Sequence, residues 1–351
     1  MDISLTVLLT NKCNKNCSFC FVSKGQDDLT IEKFRDVFIN IYENEERKYK
    51  GNNYSIVFMG GEPLINFEVL QEAFNILRKT VHSNHLRCRV VTNGILLSKY
   101  ISWFRENKEI QIVLSLEDIN QLEGFSPSDL TVRIIITPEN IGVISEKIAA
   151  VAKLGFWVEC IIADGVMWDI LQHKKMIKNF YSKIVMFFTA NLNLPPPNIL
   201  STALWRVHEE PKNCVPGINS FCIDSTGEVY GCNRLTPNSN HGRFKIIHNI
   251  DDPPYLIRGK CENCGVKNIC SICPAVRASI YTTRQAEVKC LYIREAIFAS
   301  IHYLSEIAIR CKKGEMLRKE SFFLKERPSL SINHLVKWCL ECGKIFQEYC
   351  E

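Results

Sequence analysis

Three cysteines stand within eight residues near the start of the chain, Cys13, Cys17 and Cys20 in "KCNKNCSFC", spaced C-x3-C-x2-C. Three thiolates are too few to close a tetrahedral structural zinc site and an odd number for disulfides. A zinc knuckle completed by a distant fourth ligand would use them. So would an iron–sulfur cluster held at three corners, with one iron left open for a ligand that reacts. A second cysteine field lies downstream: Cys214, Cys222 and Cys232 in "NCVPGINSFCIDSTGEVYGCN", then Cys261, Cys264, Cys270 and Cys273 in "CENCGVKNICSICP", then Cys290. Its core spacing, C-x2-C-x5-C-x2-C, also suits a zinc ribbon, but a ribbon does not account for the outlying cysteines.

The chain that must position these thiols has 351 residues, enough for a large α/β domain with a smaller one. With 46% hydrophobic and 23% charged residues it is an ordinary globular sequence. A net charge of +5 without a Lys/Arg block gives no nucleic-acid surface. The first ten residues, "MDISLTVLLT", lack a basic region and cleavage site, and no apolar run reaches the ~18 residues of a membrane span. Seventeen cysteines without an export signal imply a cytoplasmic protein whose thiols bind metal.

Strand-like and helix-like segments alternate up to about residue 165. Strands are expected at Ile3–Leu9, Tyr54–Met59, Arg87–Thr92, Ile110–Leu116, Thr131–Thr137 and Phe156–Ala163. Helices are expected where Ile31, Phe34, Phe38 and Ile41 recur, then around Phe67–Leu77, Tyr100–Arg105 and Ile144–Leu154. Near-continuous apolar strands separated by helices predict a parallel sheet buried on both faces. Met167–Phe188 reads as a helix plus a further strand. "NLPPPN" at Asn193–Asn198 reads as a linker, and the chain turns helical again from about Ala296.

The cysteine triplet follows the first strand, "MGGEP" (Met59–Pro63) the second and "TNG" (Thr92–Gly94) the third, while Ser115 ends the fourth. All four then meet at the C-terminal rim, where strand–helix barrels place their chemistry. Cys13, Cys17 and Cys20, with Phe19 before the last, together with Gly60, Gly61, Glu62 and Pro63, resemble the signature of the radical S-adenosylmethionine (radical SAM) enzymes. The resemblance implies a partial (β/α)6 TIM-like barrel over residues 1–190. It implies a 4Fe–4S cluster on the three cysteines whose open iron takes the amino and carboxylate groups of S-adenosylmethionine. Gly60 and Gly61 would let the backbone approach that ligand, and Glu62 would accept from its ammonium. Phe19, Asn93 and Ser115 are further candidate contacts, with Asn93 and Ser115 for the ribose or carboxylate.

The second field resembles the SPASM extension of these enzymes, which carries two auxiliary 4Fe–4S clusters, three clusters in all. That implies a linker at 191–212, a cluster domain at 213–295 and a helical tail at 296–351. Carried over, Cys214, Cys232 and Cys273 would hold the first auxiliary cluster and Cys261, Cys264, Cys270 and Cys290 the second. Cys222 is the candidate fourth ligand of the first, the alternative being an open iron. Cys88 and Cys160 lie on expected strands and read as core, and Cys311, Cys339, Cys342 and Cys350 as thiols near a helix.

Enzymes of this kind mostly modify ribosomally made peptides, by cross-linking, epimerisation or oxidation; a minority act on small biosynthetic intermediates. Asn233 follows Cys232 where sulfatase maturases carry an aspartate base, so formylglycine formation is not expected. With the first strand beginning at Ile3, a peptide leader would be read by a separate partner protein or by the helical tail. An external donor such as flavodoxin or ferredoxin would supply electrons.

Overall fold

The computed structural model describes residues 2–48, 51–163, 166–201, 219–237, 283–327, 329–337 and 339–340. They fall into two compact units, each assembled from separate stretches of chain.

The first unit takes in the described residues up to Glu117, Val166 and those from Asn219 to Pro237. Four strands alternate with three helices: β1 (Asp2–Leu8), α1 (Ile31–Lys48), β2 (Asn53–Met59), α2 (Phe67–Thr80), β3 (Leu86–Thr92), α3 (Leu97–Glu106) and β4 (Ile110–Ser115). A hairpin, β7 (Ser220–Ile223) and β8 (Val229–Tyr230), completes the unit. Its strands run in the order β4-β3-β2-β1-β7-β8. Every neighbouring pair is parallel except β7 and β8.

The hairpin turns at "STG" (Ser225–Gly227), where Gly227 takes φ +88°. The Asp224 carboxylate accepts from Thr226 N, Thr226 Oγ1 and Glu228 N and so fixes that turn. Neither strand's residues signal that β7 pairs in parallel with β1, setting Cys222 opposite Thr6.

Burial along the strands corrects one expectation. In β2, Tyr54, Ile56 and Phe58 are buried, while Ser55, Val57 and Met59 are half-buried. β3 repeats this with Cys88, Val90 and Thr92 against Arg89 and Val91. One face is dry against helices, as in the Tyr42–Tyr54 ring contact, and the other is partly open. A sheet covered equally on both faces would not alternate in this way.

The second unit contains β5 (Leu130–Ile136), α4 (Ile144–Lys153), β6 (Val158–Ile162), α5 (Ile170–Ala190) and α6 (Thr283–Lys312), with β5 and β6 parallel. No strand follows α5's start: Ile170–Ala190 is one helix. Ile177, Phe180, Tyr181, Ile184 and Phe188 recur at helical spacing and are all buried, and Tyr181 meets Tyr292 of α6 edge-on at 5.3 Å. α6 begins at Thr283, well before the expected Ala296, and carries Cys290. Pro195, Pro196 and Pro197 are buried, and Asn198 bonds both backbone groups of Cys160 at the edge of β6. That side chain satisfies the edge as a neighbouring strand would. Cys88 and Cys160 are core residues as expected. No helix among the described residues is long and apolar enough to cross a membrane.

Tyr303 of α6 is fully buried, and its hydroxyl has no hydrogen-bond partner among the described residues. Burial pushes its ionisation upward. Removing a hydroxyl whose bond to water was given up without replacement should not destabilise the fold. Tyr303→Phe is expected to hold or raise thermal stability, by up to about 1 kcal/mol. A lowered melting temperature would show that the hydroxyl is bonded.

Candidate active site

The loop between β1 and α1 carries Cys13, Cys17 and Cys20, all half-buried and outside any disulfide. Its neck is closed independently of the sulfurs. Thr10 and Asp28 form an antiparallel bridge, and Thr10 Oγ1 donates to Asp28 Oδ1 at 2.6 Å. Lys12 pairs with Asp28. Asn66 donates its amide to Leu9 O at 2.9 Å and to Leu29 O at 3.0 Å, joining both sides of the neck. Within the loop, Cys20 N donates to Cys17 O at 3.2 Å across a turn that presents half-buried Phe19.

The GGEP turn docks on this loop edge to edge. Gly61 N donates to Thr10 O at 2.7 Å and Glu62 N to Lys12 O at 2.8 Å. Gly60 sits at φ +141°, where a Cβ would lie 2.3 Å from Thr10 O; at Gly61 a Cβ would lie 2.0 Å from Lys12 O. The close approach that these glycines permit here is to the cysteine loop's own backbone. Pro63 is buried and opens a 3-10 turn, Pro63–Asn66, that Glu62 caps.

Glu62 is 1% exposed. Its Oε1 accepts from Thr92 Oγ1 at 2.7 Å and Leu64 N at 3.2 Å, and Oε2 accepts from Asn93 N at 2.8 Å. Burial dominates and pushes the carboxyl above the usual range, against the pull of those bonds and of Lys15. Glu62 therefore ties the exits of β2 and β3 together, with acceptor capacity left on Oε2.

Asn93 turns its side chain toward the cysteines. Its Nδ2 donates to Asn14 Oδ1 at 2.7 Å and lies 4.0 Å from Cys13 Sγ, which also accepts from Lys15 N at 3.4 Å. Ser115 is half-buried at the end of β4. Two residues further, Glu117 reaches the loop itself: Oε2 is 2.9 Å from Lys15 Nζ, and Oε1 accepts from the Cys17 thiol at 3.7 Å. Burial first, then Glu117, pushes the Cys17 thiol up, with Lys15 opposing. Sequence reasoning missed Lys15, Asn66 and Glu117. The signal for Glu117 was its place two residues past Ser115, on the same side of an extended chain.

Of the second cysteine field, Cys232 caps a 3-10 turn (Asn233–Leu235) and donates to Asn233 Oδ1 at 3.3 Å; Asn233 Nδ2 lies 3.5 Å from Met59 Sδ. Cys222 is fully buried with Leu8 and Tyr230, against Met59, and that burial pushes its thiol well up. Cys290 is half-buried on α6. Cys214, Cys261, Cys264, Cys270 and Cys273 lie outside the described residues, as do Cys342 and Cys350.

Among the described residues, no three His, Cys, Asp or Glu side chains close on a single metal ion. A mononuclear zinc needs its sulfurs gathered around one centre at ~2.3 Å, whereas a 4Fe–4S cluster takes each thiolate at a different iron. Three thiols on one stapled loop, with N–H groups turned toward Cys13, are a donor set that suits the cluster.

Residues 7–167 match the family model described as the Radical SAM superfamily. The chain carries a radical SAM domain. That superfamily implies S-adenosylmethionine and a 4Fe–4S cluster. "Uncharacterized protein MJ0907" of Methanocaldococcus jannaschii is 24% identical over 291 residues, 73% of this chain and 93% of the relative. "Radical SAM cyclopropyl synthase TigE" of Paramaledivibacter caminithermalis is 27% identical over 142 residues, 35% of this chain and 29% of TigE, so that match spans under a third of the relative.

Among solved structures, anSMEcpe with bound AdoMet and Cp18Cys peptide superposes with a TM-score of 0.61 at 16% identity, covering 89% of this chain and all of the other. Streptococcus suis SuiB bound to precursor peptide SuiA gives 0.50 at 15%, covering 77% of this chain and 71% of SuiB. At such identities the likeness is one of fold. The mostly parallel α/β architecture around the radical SAM domain is the partial barrel expected from the sequence.

Proposed function

We propose that this radical SAM enzyme cleaves S-adenosylmethionine reductively and removes a hydrogen atom from a ribosomally made peptide, which it thereby cross-links, epimerises or oxidises. The observation that carries the reading is the interlock of the cysteine loop with the GGEP turn through Thr10, Lys12, Gly60 and Gly61. Cys13, Cys17 and Cys20 would hold the cluster. When bound, the cluster supplies one electron to the sulfonium, giving methionine and a 5′-deoxyadenosyl radical. The chain's own part is to fix geometry: Glu62 and Asn66 lock the turn and loop, and Asn93 sits against the Cys13 sulfur. Oε2 of Glu62, Phe19 and Ser115 are the groups offered to the ligand.

A peptide substrate is supported by two solved structures of like fold whose titles name a bound peptide, anSMEcpe with Cp18Cys peptide and SuiB with precursor peptide SuiA. Auxiliary clusters on Cys214, Cys232 and Cys273 and on Cys261, Cys264, Cys270 and Cys290 complete the reading, with Cys222 as a further candidate ligand. A reductant such as flavodoxin or ferredoxin, a cytoplasmic setting and a separate leader-recognition protein belong to the same proposal.

The test is to reconstitute the full chain anaerobically and reduce it with S-adenosylmethionine and short peptides encoded beside its gene. A peptide mass change together with 5′-deoxyadenosine supports the proposal. Formation of 5′-deoxyadenosine with every such peptide unchanged, but with a neighbouring pathway's small molecule altered, would overturn it.

A further inference from the structure

Lys15 occupies the middle of the C-x3-C spacer, and its side chain is only 14% exposed. The ammonium lies 2.9 Å from Glu117 Oε2, beyond the exit of β4. It also acts on Glu62, the buried carboxylate at the exit of β2. Its own backbone N–H donates to Cys13 Sγ. One largely buried cation thus pairs with the carboxylate at the β4 exit and favours the charged form of the carboxylate at the β2 exit, from inside the loop that carries three sulfurs. Thiolates and carboxylates so close together repel one another unless a cation is held among them. A lysine that merely covered the surface would extend its ammonium into water.

We propose that Lys15 is a positioning residue of the cysteine loop, whose ammonium offsets Glu62 and Glu117 and thereby sets how readily a cluster held there accepts an electron. Net charge and hydrogen bonds to sulfur are the levers by which a protein moves a cluster's potential. The proposal rests on the assignment of that cluster to Cys13, Cys17 and Cys20.

The experiment is an anaerobic redox titration of the reconstituted full chain without S-adenosylmethionine, followed by electron paramagnetic resonance. The cluster in question is the one whose signal changes when S-adenosylmethionine is afterwards added. Lys15→Met is expected to lower its midpoint by about tenfold in the reduced-to-oxidised ratio, ~59 mV for one electron. Lys15→Arg, which keeps the charge, should stay near wild type. Glu117→Gln, which removes the opposing charge, should move the midpoint upward.

A purely structural clasp would respond alike to Lys15→Met and Glu117→Gln, since both break the same ion pair; shifts of the same sign, or none, overturn the proposal. Should Lys15→Met fail to retain iron, Glu117→Gln decides, and a null or downward shift overturns it. A wild-type chain in which no cluster responds to S-adenosylmethionine overturns the cluster assignment and this proposal with it. An S-adenosylmethionine-responsive cluster whose midpoint ignores both charges overturns this proposal alone.

Discussion

Replacing Cys13, Cys17 and Cys20 together by Ala is expected to abolish formation of 5′-deoxyadenosine while leaving the chain folded. The reason lies in how the loop is held. Its neck depends on the Thr10–Asp28 bridge and the Asn66 amide, and the docked turn depends on backbone bonds to Thr10 and Lys12. None of these uses a sulfur. The three thiols are half-buried, so truncating them opens no large core cavity. If the remaining cysteines hold two auxiliary clusters, the variant should keep about two-thirds of the iron of the reconstituted wild type. Iron and sulfide quantitation with chromatography of the nucleoside products makes the measurement. Full iron content, or continued cleavage of S-adenosylmethionine, would refute the assignment of the loop.

Most of what positions this site was legible in the sequence, because local patterns specify it. The strand preceding the cysteines, the strand preceding GGEP and the strand preceding "TNG" are runs of β-branched and apolar residues, and each ended within a residue of where it was expected. What escaped was set by long-range contacts. Met167–Phe188 carries enough β-formers to suggest a strand after a helix, yet Ile184 and Phe188 are on the buried face of α5, which packs against α6. Tertiary packing decides such cases over propensity. The pairing of β7 with β1 joins residues more than two hundred positions apart, and nothing in either segment announces its partner. The pairing of Lys15 with Glu117 escaped for the same reason. Each looks like an ordinary surface charge until the fold brings the β4 exit beside the cysteine loop. What the motif glycines did not announce is that they make room for the backbone of the cysteine loop itself.

That role makes Gly61→Ala the second substitution with a large expected effect. The added Cβ would sit 2.0 Å from Lys12 O and 2.6 Å from Lys12 C, both backbone atoms held by their own bonds, so no side chain can swing away to relieve it. Either the turn withdraws, breaking the bonds from Gly61 N to Thr10 O and from Glu62 N to Lys12 O, or the cysteine loop moves. The expected cost is about 3 kcal/mol, the upper range for overpacking a tight site. It should appear as a lowered urea midpoint together with loss of S-adenosylmethionine cleavage. Gly51→Ala is the control: Gly51 has φ +72°, but an added Cβ meets nothing within 4 Å, so only the left-handed backbone penalty of about 1 kcal/mol applies. If Gly61→Ala were no more damaging than Gly51→Ala, and cleavage continued, the interlock of turn and loop would not be what holds the site together.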